Sequence, residues 1–387
     1  MKKNILIGIV AGVIIIGITT GFIVIPMLLP STPPPPGNGD SGWSWPTDGW
    51  STSTLEEQNM SSSILDDMNY FIFYNQIEID SISIIKNGYL VYEEYYKDSL
   101  INPDKNFTYT GVLYSDTQKH NIWSCTKSIT SLLIGIAIDL GFIDNVSQKF
   151  FDFFPERWNE TGFDARKQNI TIEHLLKMES GLTGYLPYPD PYGYDYLQRL
   201  LAIPLLQDPG DPYEVTWDSY SNAGTTLLSA IINRTTGRYT WDFAQEYLFD
   251  PLGILKENMH WSNSSQSPPG NLTMNYGSSG IAMYPQDMAK IGYLCLNNGT
   301  WNGTQIVSSD WIKRSQIDDP AGAVVYGYLW WLSWGFSPAY YLAGGANGQK
   351  IVIVNEIDMV IVLTAHVDRY QDYIIQNYII ESAMSNN

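Results

Sequence analysis

Cysteine is almost missing from these 387 residues: Cys125 and Cys295 are the two that occur, so no disulfide framework can hold the fold. Both are expected to be buried thiols. Histidine is nearly as scarce. His120, His174, His260 and His366 are scattered without metal-ligand spacing, and none is nominated as the partner that a cysteine nucleophile would need. No metal and no cofactor are therefore expected. Basic residues are also few, 21 Lys and Arg against 40 Asp and Glu. The resulting formal charge of -19 argues against nucleic acid and against anionic membrane surfaces as partners. What the chain does have is an apolar fraction of 44%, enough for one large core.

Much of that apolar character opens the chain. Ile5 to Leu29 is free of charge over about 25 residues, long enough to cross a hydrocarbon core. It is longer than the apolar part of a cleaved signal peptide and lacks a small-residue cleavage site. With Lys2 and Lys3 before it and no basic cluster after it, residues 1–3 are expected in the cytoplasm, 4–29 as a transmembrane anchor, and the rest outside. Residues 30–54, with the run Pro33 to Pro36, read as a Pro/Gly/Ser-rich linker, and 55–387 as one catalytic domain. The acceptor pattern N-x-[ST] recurs from Asn59 to Asn302, which favours a glycosylated extracellular domain held at the cell membrane by a single pass.

Within the body, apolar spacing predicts a helix over Leu55–Tyr74, followed by strands Ser81–Lys86 and Tyr89–Tyr96 joined by the hairpin signal Asn87-Gly88. The middle reads as helical: Ser128–Leu140, Ile172–Met178, Thr225–Thr235, Trp241–Leu248 and Gln286–Leu296. Strand patterns return at Tyr326–Trp334, Gln349–Asn355 and Met359–Ala365, before a last helix over Tyr370–Ser385. The two ends must share a sheet. The fold class is α+β, an antiparallel sheet from both chain ends flanked by helices, with a mainly helical lobe inserted.

Two Ser-x-x-Lys tetrads occur, Ser83–Lys86 and Ser124–Lys127. On a helix this spacing stacks both side chains on one face, so that the amine can act on the hydroxyl. In a strand, residues three apart point to opposite faces, which excludes the first tetrad. The second opens an apolar helix, where backbone N–H groups favour developing negative charge. Gly277-Ser278-Ser279-Gly280 falls short of the G-x-S-x-G elbow, so an α/β-hydrolase site is not expected.

About a hundred residues further on, Tyr220-Ser221-Asn222 directly precedes another helix. With this pair of motifs the chain resembles the serine β-lactamase and penicillin-binding superfamily, in the branch of class C β-lactamases, related esterases and 6-aminohexanoate-dimer hydrolases. Ile172 to Leu182 and Phe249 to Gly253 also resemble it, so the likeness runs from about Tyr74 to the end. The resemblance implies a β-lactamase/transpeptidase-like fold and an acyl-enzyme on Ser124, with Lys127 and Tyr220 sharing the base and proton-shuttle roles. It implies Asn222 as a ligand of Lys127 or of the substrate. The third family element is matched to Gly345-Ala346-Asn347-Gly348-Gln349. Gly348 and Gln349 would then belong to the substrate and oxyanion site, whose donors would be the N–H groups of Ser124 and Gln349. Ala346 would stand where a β-lactamase has a cation. The resemblance implies hydrolysis of an ester or amide in a small-molecule or peptide-like substrate, as an esterase, amidase or D-aminopeptidase would perform it. Two other readings stay open: a non-catalytic penicillin-binding-like surface receptor, and a true β-lactamase, against which Ala346 counts. The tyrosine-rich stretch from Tyr185 to Tyr196 is either a surface loop or an overhang that sets substrate choice.

Overall fold

Branched apolar side chains and one tight turn build the first hairpin. β1 (Ile79–Lys86) and β2 (Tyr89–Tyr95) are joined through Asn87 at φ 52° and Gly88 at φ 80°, both in the left-handed region that a two-residue hairpin turn requires. The last 60 or so residues supply the other four strands of the same six-stranded sheet: β3 (Trp331–Ser333), β4 (Tyr340–Gly345), β5 (Gln349–Val354) and β6 (Met359–Ala365). They combine in the order β2-β1-β6-β5-β4-β3, antiparallel throughout, with Ile84 opposite Ile361 and Val352 also opposite Ile361. The chain ends therefore do meet in one sheet. The computed structural model describes residues 44–96, 118–160, 164–184, 195–211, 218–264, 273–317, 326–333 and 335–385.

Both faces of this sheet are covered, which is why β1 and β6 are buried along almost their whole length. One face carries Ile82, Ile84, Val352, Val354, Ile361 and Leu363 against α1 (Ser62–Tyr74) and the C-terminal helical run Gln371–Met384. The other carries Ile85, Ile351, Ile353, Val360 and Val362 into the larger core of the helical lobe. In that core lie α2 (Cys125–Asp139), α3 (Asn222–Thr236) and α4 (Pro285–Leu296). Every residue of α2 from Cys125 to Ala137 is buried. Each fully buried Ile or Leu there contributes about 1.5–3 kcal/mol. Most of its polar members are paired, Ser128 Oγ donating to Leu329 O at 2.6 Å and Thr130 Oγ1 to Gly277 O at 2.8 Å, but Ser131 Oγ is buried without a hydrogen-bond partner.

Four expectations change. The stretch from Leu55 is a short 3-10 turn, Glu56–Gln58, and only then a helix, because Asn59 at φ 57° breaks the run. The strand expected over Tyr326–Trp334 is confined to Trp331–Ser333: Leu329 at φ 62° folds the chain back so that Tyr326 bridges Trp331. β4, at Tyr340–Gly345, was not anticipated. The end of the expected linker is also part of the body, since Trp45 packs on Tyr293 and Trp301 and Thr52 bridges Leu90. The expected anchor over 4–29 lies outside the described residues, among which no helix is long and apolar enough to cross a membrane. Most of the Tyr185–Tyr196 stretch lies outside them as well.

Candidate active site

Ser124 is the N-cap of α2 and makes no capping hydrogen bond with its own side chain, so its Oγ is left for other partners. The residue before it, Trp123, is held at φ 47°, a conformation that strains a bulky residue and turns the chain sharply into the helix. One helical turn on, Lys127 Nζ lies 3.1 Å from Ser124 Oγ. The same ammonium position reaches Asn222 Oδ1 at 2.6 Å and the backbone carbonyl of Ser278 at 2.9 Å. Asn222 is the first residue of α3, and Tyr220 sits just before it with Ser221 as the cap. The Tyr220 hydroxyl is hydrogen-bonded to Ser124 and to Tyr326. Its ring lies 4.7 Å from Lys127 Nζ and is stacked on Trp331 at 5.8 Å. Four of the expected site residues, Ser124, Lys127, Tyr220 and Asn222, are thus brought together.

Burial sets the proton affinities. Removal from water disfavours the charged amine and pulls Lys127 down to about 7. The same cause pushes Tyr220 up to about 12, partly opposed by its hydrogen bonds with Ser124 and Tyr326. Near neutral pH a large share of Lys127 is therefore neutral and able to take a proton, while Tyr220 keeps its own. Cys125, beside the nucleophile, is fully buried; its thiol is pushed up to about 12 and points at the carbonyls of Ala343 and Gln349, 3.4 and 3.5 Å away. Among the described residues no cluster of His, Cys, Asp or Glu could hold a metal ion.

The third wall is the end of β4. A side chain at 345 would put its first carbon 2.3 Å from the Ile122 carbonyl, so glycine there lets the strand lie against the turn that carries Ser124. A cavity of about 550 Å³ opens at this point. Ser124 and Tyr220 line it together with Trp331, Gly344, Gly345 and Ala346, whereas Gly348 and Gln349 do not. Gln349 is buried, its side-chain amide donating to Ala365 O at 2.5 Å. The part of the expected Gly345–Gln349 motif that lines the cavity with Ser124 is thus its start, Gly345 at the end of β4 and Ala346 just beyond it, together with Gly344, whereas Gly348 closes the turn and Gln349 begins β5. The Ser278 carbonyl, Tyr326, Trp331 and Lys350 were also missed from sequence.

The chain belongs to the beta-lactamase family, whose sequence profile matches residues 75–384. A 6-aminohexanoate-dimer hydrolase from Paenarthrobacter ureafaciens is 22% identical over 281 residues, 64% of this chain and 66% of that relative. The match thus spans slightly less than two thirds of the curated relative's length. In fold the chain is similar to a penicillin-binding protein homolog from Caulobacter crescentus, at 15% identity and TM-score 0.63 over 84% of this chain and 97% of that one. It is also similar to a family VIII carboxylesterase, at 16% identity and TM-score 0.61 over 84% and 97%. The family's members include hydrolases.

Proposed function

From membership of this family we propose that the protein is a serine hydrolase that cleaves small esters or amides through an acyl-enzyme on Ser124. One observation carries the reading: a buried lysine amine, held near neutrality, 3.1 Å from a serine hydroxyl at a helix N-terminus. Neutral Lys127 takes the Ser124 proton as Oγ attacks the substrate carbonyl. The oxyanion is held by the backbone N–H of Ser124 and, across the cavity, of Ala346, which replaces Gln349 in this role. Tyr220, still protonated, passes a proton to the leaving group and recovers one from Lys127. Water then attacks the acyl ester with Lys127 again as base, releasing the acid. Asn222 keeps the Lys127 amine aimed at Ser124. The relatives named for an amide dimer and for carboxylic esters support an ester or amide as substrate.

The test is covalent labelling. The wild-type protein should react with a fluorophosphonate probe and hydrolyse p-nitrophenyl butyrate, and Ser124→Ala should do neither; labelling of Ser124→Ala at the wild-type level overturns the assignment. Anchoring in the cell membrane with the catalytic domain outside is part of the same proposal, supported by the apolar run and the acceptor pattern in the sequence. Sedimentation of the full chain with membranes, and its removal from intact cells by external protease, are the expected results.

A further inference from the structure

Six copies of the pattern N-x-[ST] fall wholly within the described residues, at Asn59, Asn145, Asn169, Asn233, Asn298 and Asn302, and the fold does not present them alike. Attachment of a sugar requires the side-chain amide nitrogen and the hydroxyl two residues on to be reachable together from solvent. Asn233 fails on both counts. It lies half-buried in the last turn of α3 with Nδ2 donating to Thr273 O at 3.2 Å, and Thr235 donates its Oγ1 to Ile231 O at 2.9 Å. Asn169 is exposed, but its Oδ1 accepts from Lys149 Nζ at 3.2 Å and Thr171 Oγ1 accepts from His174 N at 3.2 Å.

The contrast is sharpest at Asn298 and Asn302, which flank one tight hairpin. The short strands Thr300–Trp301 and Thr304–Gln305 pair, and Asn302 at φ 45° with Gly303 at φ 77° makes the two-residue turn between them. Asn298 at φ 51° with Gly299 at φ 78° makes the turn that leaves α4. Asparagine tolerates this left-handed backbone, so the turns account for the main chain at both positions. They leave the amides unused. Both asparagines are exposed, and neither side chain makes a hydrogen bond among the described residues. Thr304 is exposed and equally unengaged, and Thr300 Oγ1 reaches only the exposed Gln305 Oε1, at 3.2 Å.

This hairpin is far from the catalytic centre. Val307 N donates to Gly299 O at 3.3 Å, and the next residue, Ser308, donates its N–H to Asp139 Oδ2 at 2.7 Å, at the C-terminal end of α2. Ser124 caps the other end of that helix, and 15 residues at about 1.5 Å each put the two ends roughly 22 Å apart. The attachment points therefore stand clear of the cavity, which neither asparagine lines. Trp301, between the two asparagines in sequence, is buried: it donates Nε1 to Thr47 Oγ1 at 2.9 Å and packs on Trp45 at 5.4 Å.

Resting on the reading above that this domain lies outside the cell, we propose that Asn298 and Asn302 are paired N-glycan acceptors and that Asn233, which carries the same pattern, is not. At each acceptor a bond forms between Nδ2 and the anomeric carbon of an oligosaccharide activated on a phosphate-linked lipid carrier. The bond from that carbon to the phosphate oxygen breaks, the oxygen keeps the electron pair, and the amide gives up one proton.

Glycopeptide mass spectrometry of the full chain, purified from the membranes of the cells that naturally make it, decides the matter. Trypsin yields Ile291–Lys313, which holds both acceptors, and Leu200–Arg234, which holds Asn233. The first should carry two glycans and the second none. Thr304→Ala should remove the glycan at Asn302 without touching the turn residues, and Thr304→Ser, which keeps the pattern, should retain it. Fewer than two glycans on the wild-type Ile291–Lys313, a glycan on Asn233, or a glycan still on Asn302 in Thr304→Ala would each overturn the proposal. External protease on intact cells separates the failures. A bare peptide from protein that the protease removes sinks this inference alone; from protein that it does not reach, it sinks the outward-facing reading as well.

Discussion

Two regions of the molecule carry the same four-residue spacing, and only one of them makes a site. Ser124 and Lys127 lie one turn apart at the start of α2 and meet at 3.1 Å. Ser83 and Lys86 lie in β1, where the side chains diverge: Ser83 Oγ is buried without a hydrogen-bond partner and Lys86 Nζ donates to Asn87 Oδ1 at 2.8 Å. Spacing becomes chemistry only through the local backbone, since three residues are a turn of helix but an odd number of steps along a pleat.

Breaking each tetrad in turn should separate them. Ser124→Ala should lower kcat for p-nitrophenyl butyrate by about 10³-fold or more. Ser83→Ala should leave it unchanged and hold or raise Tm, because it removes a buried hydroxyl with no partner, worth about 1–3 kcal/mol of desolvation. Lys127→Met should lower kcat by roughly 10²–10⁴-fold, against no change for Lys86→Met.

The pH dependence sharpens the contrast further. Since neutral Lys127 is the reactive form, kcat/KM should rise about tenfold per pH unit below pH 7 and level off above it. Stability follows the same group with the sign worked out: Lys127 has about 7 in the fold against 10.5 as its ordinary value, so between those limits the unfolded chain binds the extra proton. Stability is therefore lost as pH falls from 10.5 towards 7, and thermal melts across that window should be flatter for Lys127→Met than for the wild type. Lys86 is also lowered by burial, opposed by Asp358, but it is only partly removed from water, so Lys86→Met should change the slope less. The smallest effect is expected from Tyr326→Phe, which deletes the hydrogen bond to Tyr220. A loss of about 1 kcal/mol, roughly fivefold in kcat, should appear with KM held, and Trp331→Phe provides the packing control.

The nucleophile, its lysine and the Tyr-x-Asn element could be read from the chain because each is a side chain with a fixed offset to a helix start. So could the sheet, because Ser81–Lys86 and Met359–Ala365 are apolar strand runs that need covering on both faces. Much of the rest of the site is backbone. The Ser278 carbonyl that receives Lys127 and the Gly344–Ala346 strand end leave no pattern in the residue types. Glycines that signal a turn in one context allow close approach of a strand in another, which is why Gly348 and Gln349 were taken from the motif as site residues rather than Gly345 and Ala346. Lys350 was invisible for a related reason. It belongs to an apolar strand run, and only the pairing with Gly344 brings it to the cavity.

Cys125 changes how such an enzyme must be probed. A thiol directly beside a nucleophile invites classification by reagent, yet this one is sealed under β4 and β5 and keeps its proton to about pH 12. Alkylating agents and mild oxidants need a thiolate in contact with solvent. Iodoacetamide or dilute peroxide should therefore leave the hydrolase working while a serine-directed phosphonate stops it. The neighbour in sequence is, to chemistry arriving from outside, not a neighbour at all.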